Sequence, residues 1–231
     1  MKVLAFLLLA LSTANTTPLS SQAPPTEASQ TELSNLDEEE TNQCEHGSIA
    51  YNNCSDECQC YHGKLVNCYR VRREFTQMSV ADRRRYIEVY KRVSLDPLFM
   101  DDFNNIVASH IIMPQEKLHL SPNIFLPWHR WYLVQLENFL RKIDCRITLP
   151  FWDFSRMATN WWRMTDPTDF WNSGDHGLGG NGVPPENCVE DGPFRKNQWH
   201  LTKTAGGGCL KRSFNYSVIL PNRKVVLDNL S

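Results

Sequence analysis

Apolar side chains recur at helical spacing in two central stretches of the chain, and each of the two stripes includes a histidine. Residues three or four positions apart lie on one face of a helix, so each pattern predicts a helix with its histidine on the buried face. The first stripe consists of Phe99, Phe103, Ile106 and His110. The second consists of His129, Leu133, Leu136, Leu140 and Ile143.

Capping and helix-breaking residues set the expected ends of these two helices. Asp96-Pro97 can start the first helix, and Pro114 ends it. The second helix is expected over 129–143. Pro127 lies just before it, at a place where a missing N–H costs little.

A third histidine lies between the two predicted helices. His119 is flanked by the helix breakers Pro114 and Pro122, so we expect it on a loop. Histidines on the inner faces of two helices, with a third between them, can bring three imidazoles to one metal ion. Imidazole suits copper, which also binds more tightly than the other divalent first-row ions.

An earlier stretch predicts another helix of the same domain. Ser79 and Asp82 form a variant of the capping box at its start. The three consecutive arginines at 83–85 are expected on a solvated face of this helix, and we assign them no function. The apolar face comprises Tyr86, Ile87, Tyr90 and Val93.

The histidine segments resemble a known copper-binding sequence. Phe125-Leu-Pro-Trp-His-Arg130 after His119, followed by Leu149-Pro-Phe-Trp-Asp153, resembles the first copper half-site of tyrosinases and of the related mollusc-type haemocyanin units. The resemblance implies a mainly α fold: half of a type 3 copper four-helix bundle with long loops, preceded by a small disulfide-rich N-terminal module. It also implies that His110, His119 and His129 are the three ligands of the first of two copper ions.

Three further residues are expected around the ligands, namely Trp128, Arg130 and Asp153. A carboxylate among aromatic rings must be paired or hydrogen-bonded. Asp153 can orient a ligand imidazole, or it can form a structural ion pair with an arginine such as Arg130, and the sequence leaves both open. Some relatives carry a cysteine two residues before the second ligand. Lys117 stands there, so we expect no thioether link to His119.

The resemblance covers only the first half of the copper domain, over residues 71–231. In the family, the second copper site begins beyond this stretch with a paired-histidine helix. No His-x-x-x-His motif occurs in the sequence. The other histidines are not at helical ligand spacing, and we do not expect them to bind copper: His46, His62, His176 and His200.

The N-terminal residues have the composition of a secretory leader and a linker. Residues 1–17 contain a lysine, a short apolar run and small residues, which are typical of a signal peptide. Residues 18–43 are polar and end in acidic side chains, so we expect a flexible acidic linker. We therefore expect a secreted, extracellular protein. Asn53, Asn215 and Asn229 head sequons for glycosylation.

Charge and hydropathy exclude two classes of partner. The formal net charge is −2, which gives no basic face for nucleic acid. After the leader, no stretch is apolar for long enough to cross a membrane.

A cysteine-rich module is predicted over 44–70. A segment this small with almost no aliphatic core needs disulfides or a metal to fold. It resembles a half module of the von Willebrand factor C type, with an EGF-like module as the second interpretation. His46 and His62 raise zinc as an alternative, but thiols pair in an oxidising compartment.

The five cysteines of this module are an odd number, so at least one must pair outside it or remain free. The sequence does not fix the pairing. The eight cysteines are Cys44, Cys54, Cys58, Cys60, Cys68, Cys145, Cys188 and Cys209.

The resemblance implies one function and leaves two alternatives. A tyrosinase-like phenol or catechol oxidase would use dioxygen, copper and a phenolic substrate, either a small molecule or a protein tyrosine. If the sequence is a fragment, it is the N-terminal part of such an enzyme. If it is complete, we expect a catalytically inactive secreted matrix protein, with the cysteine-rich module as its contact surface. An oxygen carrier is the third possibility.

Overall fold

A computed structural model describes residues 44–228, which form a small sheet followed by a helical region with long loops. The predicted signal peptide, the predicted linker and Asn229 lie outside the described residues. The helices are α1 (Val80–Leu95), α2 (Pro97–Ile111), α3 (Gln115–Leu120), α4 (Pro122–Arg141) and α5 (Arg223–Asp228). The strands are β1 (Ile49–Tyr51), β2 (Glu57–Tyr61), β3 (Lys64–Tyr69), β4 (Gly182–Val183) and β5 (Cys188–Val189). Within 44–228, no helix is both long enough and apolar enough to cross a bilayer.

The first three strands form an antiparallel sheet in the order β1-β2-β3. Side chains alternate between the two faces of a strand. Cys58 and Cys60 on β2 therefore point the same way, and both are buried. Disulfides join Cys44 to Cys60 and Cys58 to Cys68. These covalent links replace the apolar core that so short a segment cannot build.

The odd cysteine of this segment pairs with the helical region. Cys54 is bonded to Cys145, just beyond α4. Beside this link, Arg141 Nη2 lies 2.9 Å from Asp56 Oδ2, and both side chains are largely buried. The fourth disulfide joins Cys188 to Cys209, and no cysteine is free. The zinc interpretation of the module is therefore wrong, because no thiolate remains to bind a metal.

α1 begins as predicted, but Arg83 lies on its buried face, whereas the three arginines were expected on a solvated face. The Ser79 hydroxyl accepts a hydrogen bond from the Asp82 N–H at 3.1 Å, which caps the helix. Arg83 is only 1% exposed, with its guanidinium 5.7 Å from the centre of the Phe75 ring. Arg83 precedes Tyr86 and Ile87 by three and four residues, so helical periodicity places it on the buried face.

The two histidine helices differ from the prediction at their ends. Asp96 caps α2 as expected, with its carboxylate accepting from the Leu98 N–H. α4 starts at Pro122 rather than after Pro127, which lies inside the helix. A proline in the second turn removes one hydrogen bond, which this long and well-packed helix tolerates. His119 lies in the short helix α3 rather than on a loop.

Aromatic rings and one buried arginine hold the long loops after α4. The Trp199 indole donates to Ser94 Oγ, and the Trp171 indole donates to the Trp161 carbonyl. Arg212 is buried and donates to the Gly179 and Gly180 carbonyls, with its guanidinium 4.6 Å from the Trp171 ring centre. The loop carbonyls thus find donors in the interior, as buried backbone groups require.

A buried carboxylate ties α4 to two other segments of the chain. Glu137 is 2% exposed and accepts from Arg72 Nε at 2.9 Å, Arg70 Nη1 at 3.3 Å and the Leu149 N–H at 2.9 Å. Burial alone raises the pKa of Glu137, but the Arg72, Leu149 and Arg70 hydrogen bonds outweigh it, so the pKa lies below its usual value. We call Glu137 with Arg70, Arg72 and Leu149 the Glu137 cluster.

Glu137→Gln should destabilise the fold by roughly 2–3 kcal/mol at neutral pH, because a buried group is left imperfectly paired with two arginines. The folded pKa of Glu137 is depressed, so its contribution is present above the unfolded value of 4.5 and is lost as the pH falls through the folded pKa. Urea unfolding between pH 7 and pH 3 measures this, with exposed Glu88→Gln on α1 as the matched control. A gap between wild type and Glu137→Gln that stays constant down to pH 3 would contradict it.

Replacing Cys54 and Cys145 together by serine should cost about 2–4 kcal/mol, since this crosslink closes a long loop. The loss should be accompanied by faster amide hydrogen exchange in β1–β3, because the remaining Arg141–Asp56 pair holds them to α4 less firmly. The Cys188→Ser, Cys209→Ser double variant should leave exchange in β1–β3 unchanged. Equal effects of the two double variants on that sheet would refute the assigned anchoring role.

Candidate metal centre

Three imidazoles meet at one point between α2, α3 and α4. One ligand atom from each of His110, His119 and His129 lies within 4.8 Å of the other two. The ring centres are 5.3 Å apart for His110 and His119, 5.6 Å for His110 and His129, and 5.4 Å for His119 and His129. The three rings are thus almost equally spaced around a common centre. This is the only group of three or more potential ligand side chains within metal-binding distance in residues 44–228.

His110 forms the buried side of this centre. It lies in the last turn of α2 and is one of the few buried polar residues. Burial, followed by the nearby His119 and His129 rings, lowers the pKa of His110 to about 4. The imidazole is therefore neutral at physiological pH, which is the form that binds a metal.

His129 is oriented by its own helix. Its Nδ1 lies 2.6 Å from the Phe125 carbonyl oxygen, one turn earlier in α4. A carbonyl can only accept, so Nδ1 is the donor in this contact and Nε2 is the nitrogen that faces a metal. Such a backbone contact fixes both the ring and its tautomer, as is usual for histidines that ligate metals.

His119 forms the open side. It is exposed, whereas its neighbour Leu118 is completely buried and anchors α3 against the rest of the fold. The short helix thus holds one residue inward and leaves the imidazole facing both the centre and solvent. Every cysteine is in a disulfide, so none is available to link to His119.

Trp128 and Tyr132 form an aromatic wall behind the histidines. Their rings stack at 5.2 Å with an angle of 13°. Trp128 lies 5.4 Å from the His110 ring and 5.2 Å from the His129 ring. Tyr132 lies 5.6 Å from the His110 ring, and burial raises the pKa of its phenol to about 12. Tyr132 was not among the residues expected near the ligands, although its place one turn after Trp128 could have indicated it.

The other two residues expected near the ligands have different settings. Arg130 is exposed. The Asp153 carboxylate accepts from the Ser155 N–H at 3.2 Å and from the Ser155 hydroxyl at 2.5 Å, so it caps the short turn Phe154–Met157. Its own N–H donates to Glu74. The suggested ion pair with Arg130 does not form among the described residues; the Asp153 carboxylate caps this turn through its Oδ1 instead.

The remaining histidines are used elsewhere. His46 and His62 stack on each other beside the sheet, at 4.6 Å. His176 is paired with Asp175 at 2.9 Å, and His200 is exposed. None joins a second group of three potential ligands within the described part of the chain.

The geometry fits a copper ion bound by three nitrogens. Metal–imidazole bonds are about 2 Å long, so bound nitrogens lie within roughly 4 Å of one another. The ligand atoms here lie within 4.8 Å, so at most a small rotation of the exposed His119 would complete the site. Imidazole nitrogens such as these are ligands that copper accepts well.

Comparison with known proteins gives the same family that the motifs suggested. The sequence profile of the common central domain of tyrosinase matches residues 100–228. Grixazone synthase of Streptomyces griseus is 32% identical over 142 residues, which are 57% of this chain and 42% of that protein. The tyrosinase of Streptomyces glaucescens is 31% identical over 163 residues, which are 68% of this chain and 56% of that enzyme. A tyrosinase-like protein of Pinctada maxima is 30% identical over 95 residues, which are 39% of this chain and 21% of that protein.

The chain spans about half the length of the first two of these relatives. The matched region contains all three converging histidines and extends over more than half of the present sequence. This chain therefore belongs to the tyrosinase family, and its match lies within the common central domain of that family.

Proposed function

We propose that this chain is the N-terminal part of a secreted phenol or catechol oxidase that uses dioxygen. In this proposal His110, His119 and His129 hold one copper ion of a pair. The observation that carries it is the convergence of three imidazoles, one of them kept neutral by burial and one with its tautomer fixed by the Phe125 carbonyl.

Each residue of the centre has a distinct task in such an oxidase. A pair of bound copper ions supplies the electron transfer between a phenolic substrate and dioxygen. His110 and His129 hold their side of the site rigidly, because one is buried and the other is bonded to its own helix. Trp128 and Tyr132 exclude water behind the rings, and the raised pKa keeps Tyr132 a neutral phenol. His119 leaves the front of the site open for substrate.

The ligands of the second copper are proposed to come from outside this sequence. The chain has seven histidines, and the four outside the centre lie in other places. Exposed apolar side chains near the ligands in sequence support a covering segment, since exposed apolar surface marks interaction sites. These side chains are Ile112, Leu120, Ile124, Leu126 and Trp131.

The domain limits and the route of export belong to the same proposal. We place a signal peptide at 1–17, an acidic linker at 18–43, the cysteine-rich module at 44–70 and the copper domain at 71–231. Four disulfides support an oxidising compartment. Asn53 and Asn215 are exposed, as glycosylation would need. The likeness of the module to the von Willebrand factor C type, and its contact with extracellular matrix, remain proposals.

Copper titration into the metal-free full chain should show one ion bound per chain. His110→Gln, His119→Gln and His129→Gln should each weaken binding by a factor on the order of 100 or more, because loss of even an outer contact costs 10–100-fold. His200→Gln, at an exposed histidine away from the centre, is the matched control. Competition with a chelator of known affinity measures the effect. Binding that survives in all three ligand variants would refute the site.

The protein purified from its native secretion should have a greater mass than this sequence accounts for. Each chain of it should carry two copper ions. It should oxidise a soluble catechol and show the absorption band of an oxygenated copper pair. Copper removal should abolish both properties, and copper addition should restore them. A band without catechol oxidation would identify an oxygen carrier. One copper or none, with no band, would instead leave a non-enzymatic matrix protein.

A further inference from the structure

The outer face of the β1–β3 sheet carries three tyrosines. The buried cysteines occupy the inner face, so strand alternation sends Tyr51, Tyr61 and Tyr69 outward. Their exposures are 58%, 58% and 52%. Each phenol ring is therefore accessible to another macromolecule, although the three differ in what surrounds them.

Tyr61 is the one that contacts histidine rings. Its ring centre lies 4.4 Å from that of His62, edge to face at 81°, and 5.3 Å from that of His46. The Tyr61 hydroxyl takes part in no hydrogen bond among the residues described. Lys64 is its cross-strand partner. An exposed phenol is thus placed against side chains that are nucleophiles when unprotonated.

The backbone holds this arrangement in place. The His62 backbone N–H donates to His46 Nδ1 at 3.1 Å. This bond uses the main chain of His62, so it involves neither nitrogen of the His62 ring. The Gly47 N–H donates to the Cys60 carbonyl at 2.9 Å, and Cys60 is bonded to Cys44. His62 itself has a left-handed backbone, with φ of 48°, in the tight turn between β2 and β3. The imidazole and phenol are therefore fixed by a disulfide-bonded hairpin.

We propose that Tyr61 is a modification site, at which oxidation of the phenol is followed by capture of the product by the His62 imidazole. This rests on the proposed function, because a phenol oxidase of that class in another molecule, with dioxygen, is the oxidant. Tyr61 gains one ring oxygen and is converted to an o-quinone. Dioxygen accepts four electrons, and its second oxygen leaves as water.

The capture step needs no further oxidant. A nitrogen of His62 adds to a quinone ring carbon and forms a C–N bond. The hydrogen of that carbon and the N–H hydrogen move to the two quinone oxygens, which restores an aromatic catechol. In total the chain gains one oxygen atom and loses two hydrogen atoms. An uncaptured quinone that is later reduced regains both hydrogens, so the two products differ in mass.

Tyr69 is the internal control for this chemistry. It is on the same face with similar exposure, but its hydroxyl donates to Glu57 rather than facing an imidazole. That hydrogen bond, followed by burial and the Glu57 charge, raises the pKa of Tyr69. Oxidation of Tyr69 would therefore end as a reducible quinone without an adjacent histidine to trap it.

The test exposes the full chain to a soluble phenol oxidase and dioxygen, then to ascorbate, and maps the peptides by mass spectrometry after disulfide reduction. The peptide with Tyr61 should gain one oxygen and lose two hydrogens, and fragmentation should no longer separate residues 61 and 62. Tyr61→Phe should reduce this product at least tenfold, whereas Tyr69→Phe should not change it. His62→Asn, which suits the left-handed backbone, should leave Tyr61 as a plain catechol.

Three results would overturn the proposal: an unmodified Tyr61, a Tyr61 catechol without a link in the unaltered chain, or a linked product that persists in His62→Asn. Because the oxidase is added, the outcome does not depend on the activity of this protein. Failure of the proposed function would appear only in catechol oxidation by the native secreted protein.

Discussion

The position of α4 depends on the carboxylate of Glu137, which is almost completely buried. A buried charge is tolerated only when its hydrogen-bonding capacity is used. Here the donors come from Arg70 and Arg72 on one side and from the backbone of Leu149 on the other. The Glu137 cluster therefore joins the segment that enters the helical region to the segment that leaves α4. His129 lies two turns earlier on this same helix, so the cluster also fixes one of the three imidazoles.

The copper half-site is consequently rigid at the back and open at the front. Burial holds His110, a backbone carbonyl orients His129, and the stacked rings of Trp128 and Tyr132 close the space behind them. His119, in contrast, is carried by a helix of six residues and is exposed. Under the proposed function, this asymmetry would suit a centre whose second copper is held by a segment that approaches from the open side.

Sequence patterns predicted the parts of this structure that depend on local chemistry. The serine cap of α1, the aspartate cap of α2 and the buried stripe of each helix follow from spacing and hydrogen bonding within a few residues. What the patterns missed depends on packing. Pro127 lies inside α4 because contacts along twenty residues outweigh one lost hydrogen bond. Arg83 lies in the core because its position on the helix, rather than its charge, decides which way it points.

The residues of the candidate site divide in the same way, into those that local sequence patterns predict and those that packing decides. The three histidines could be selected from motifs, but the cap formed by Asp153 and the wall formed by Tyr132 required coordinates. Asp153 shows why. Asp in an aromatic stretch needs partners, and the sequence suggested an arginine or an imidazole, whereas the nearest donors were the backbone and hydroxyl of Ser155. Local donors compete well with distant charges, since they cost little chain entropy to position.

The cysteine-rich module is stabilised by disulfides rather than by an apolar core, and this affects what its surface can do. With Cys58 and Cys60 buried, the inner face of β2 is committed to disulfides. Strand alternation then requires the neighbouring residues to face outward, so tyrosines need not contribute to a core. Covalent crosslinks hold the hairpin whether or not those rings are altered. A surface whose side chains are not needed for folding is one on which reactive phenols and imidazoles can be kept together without a cost in stability.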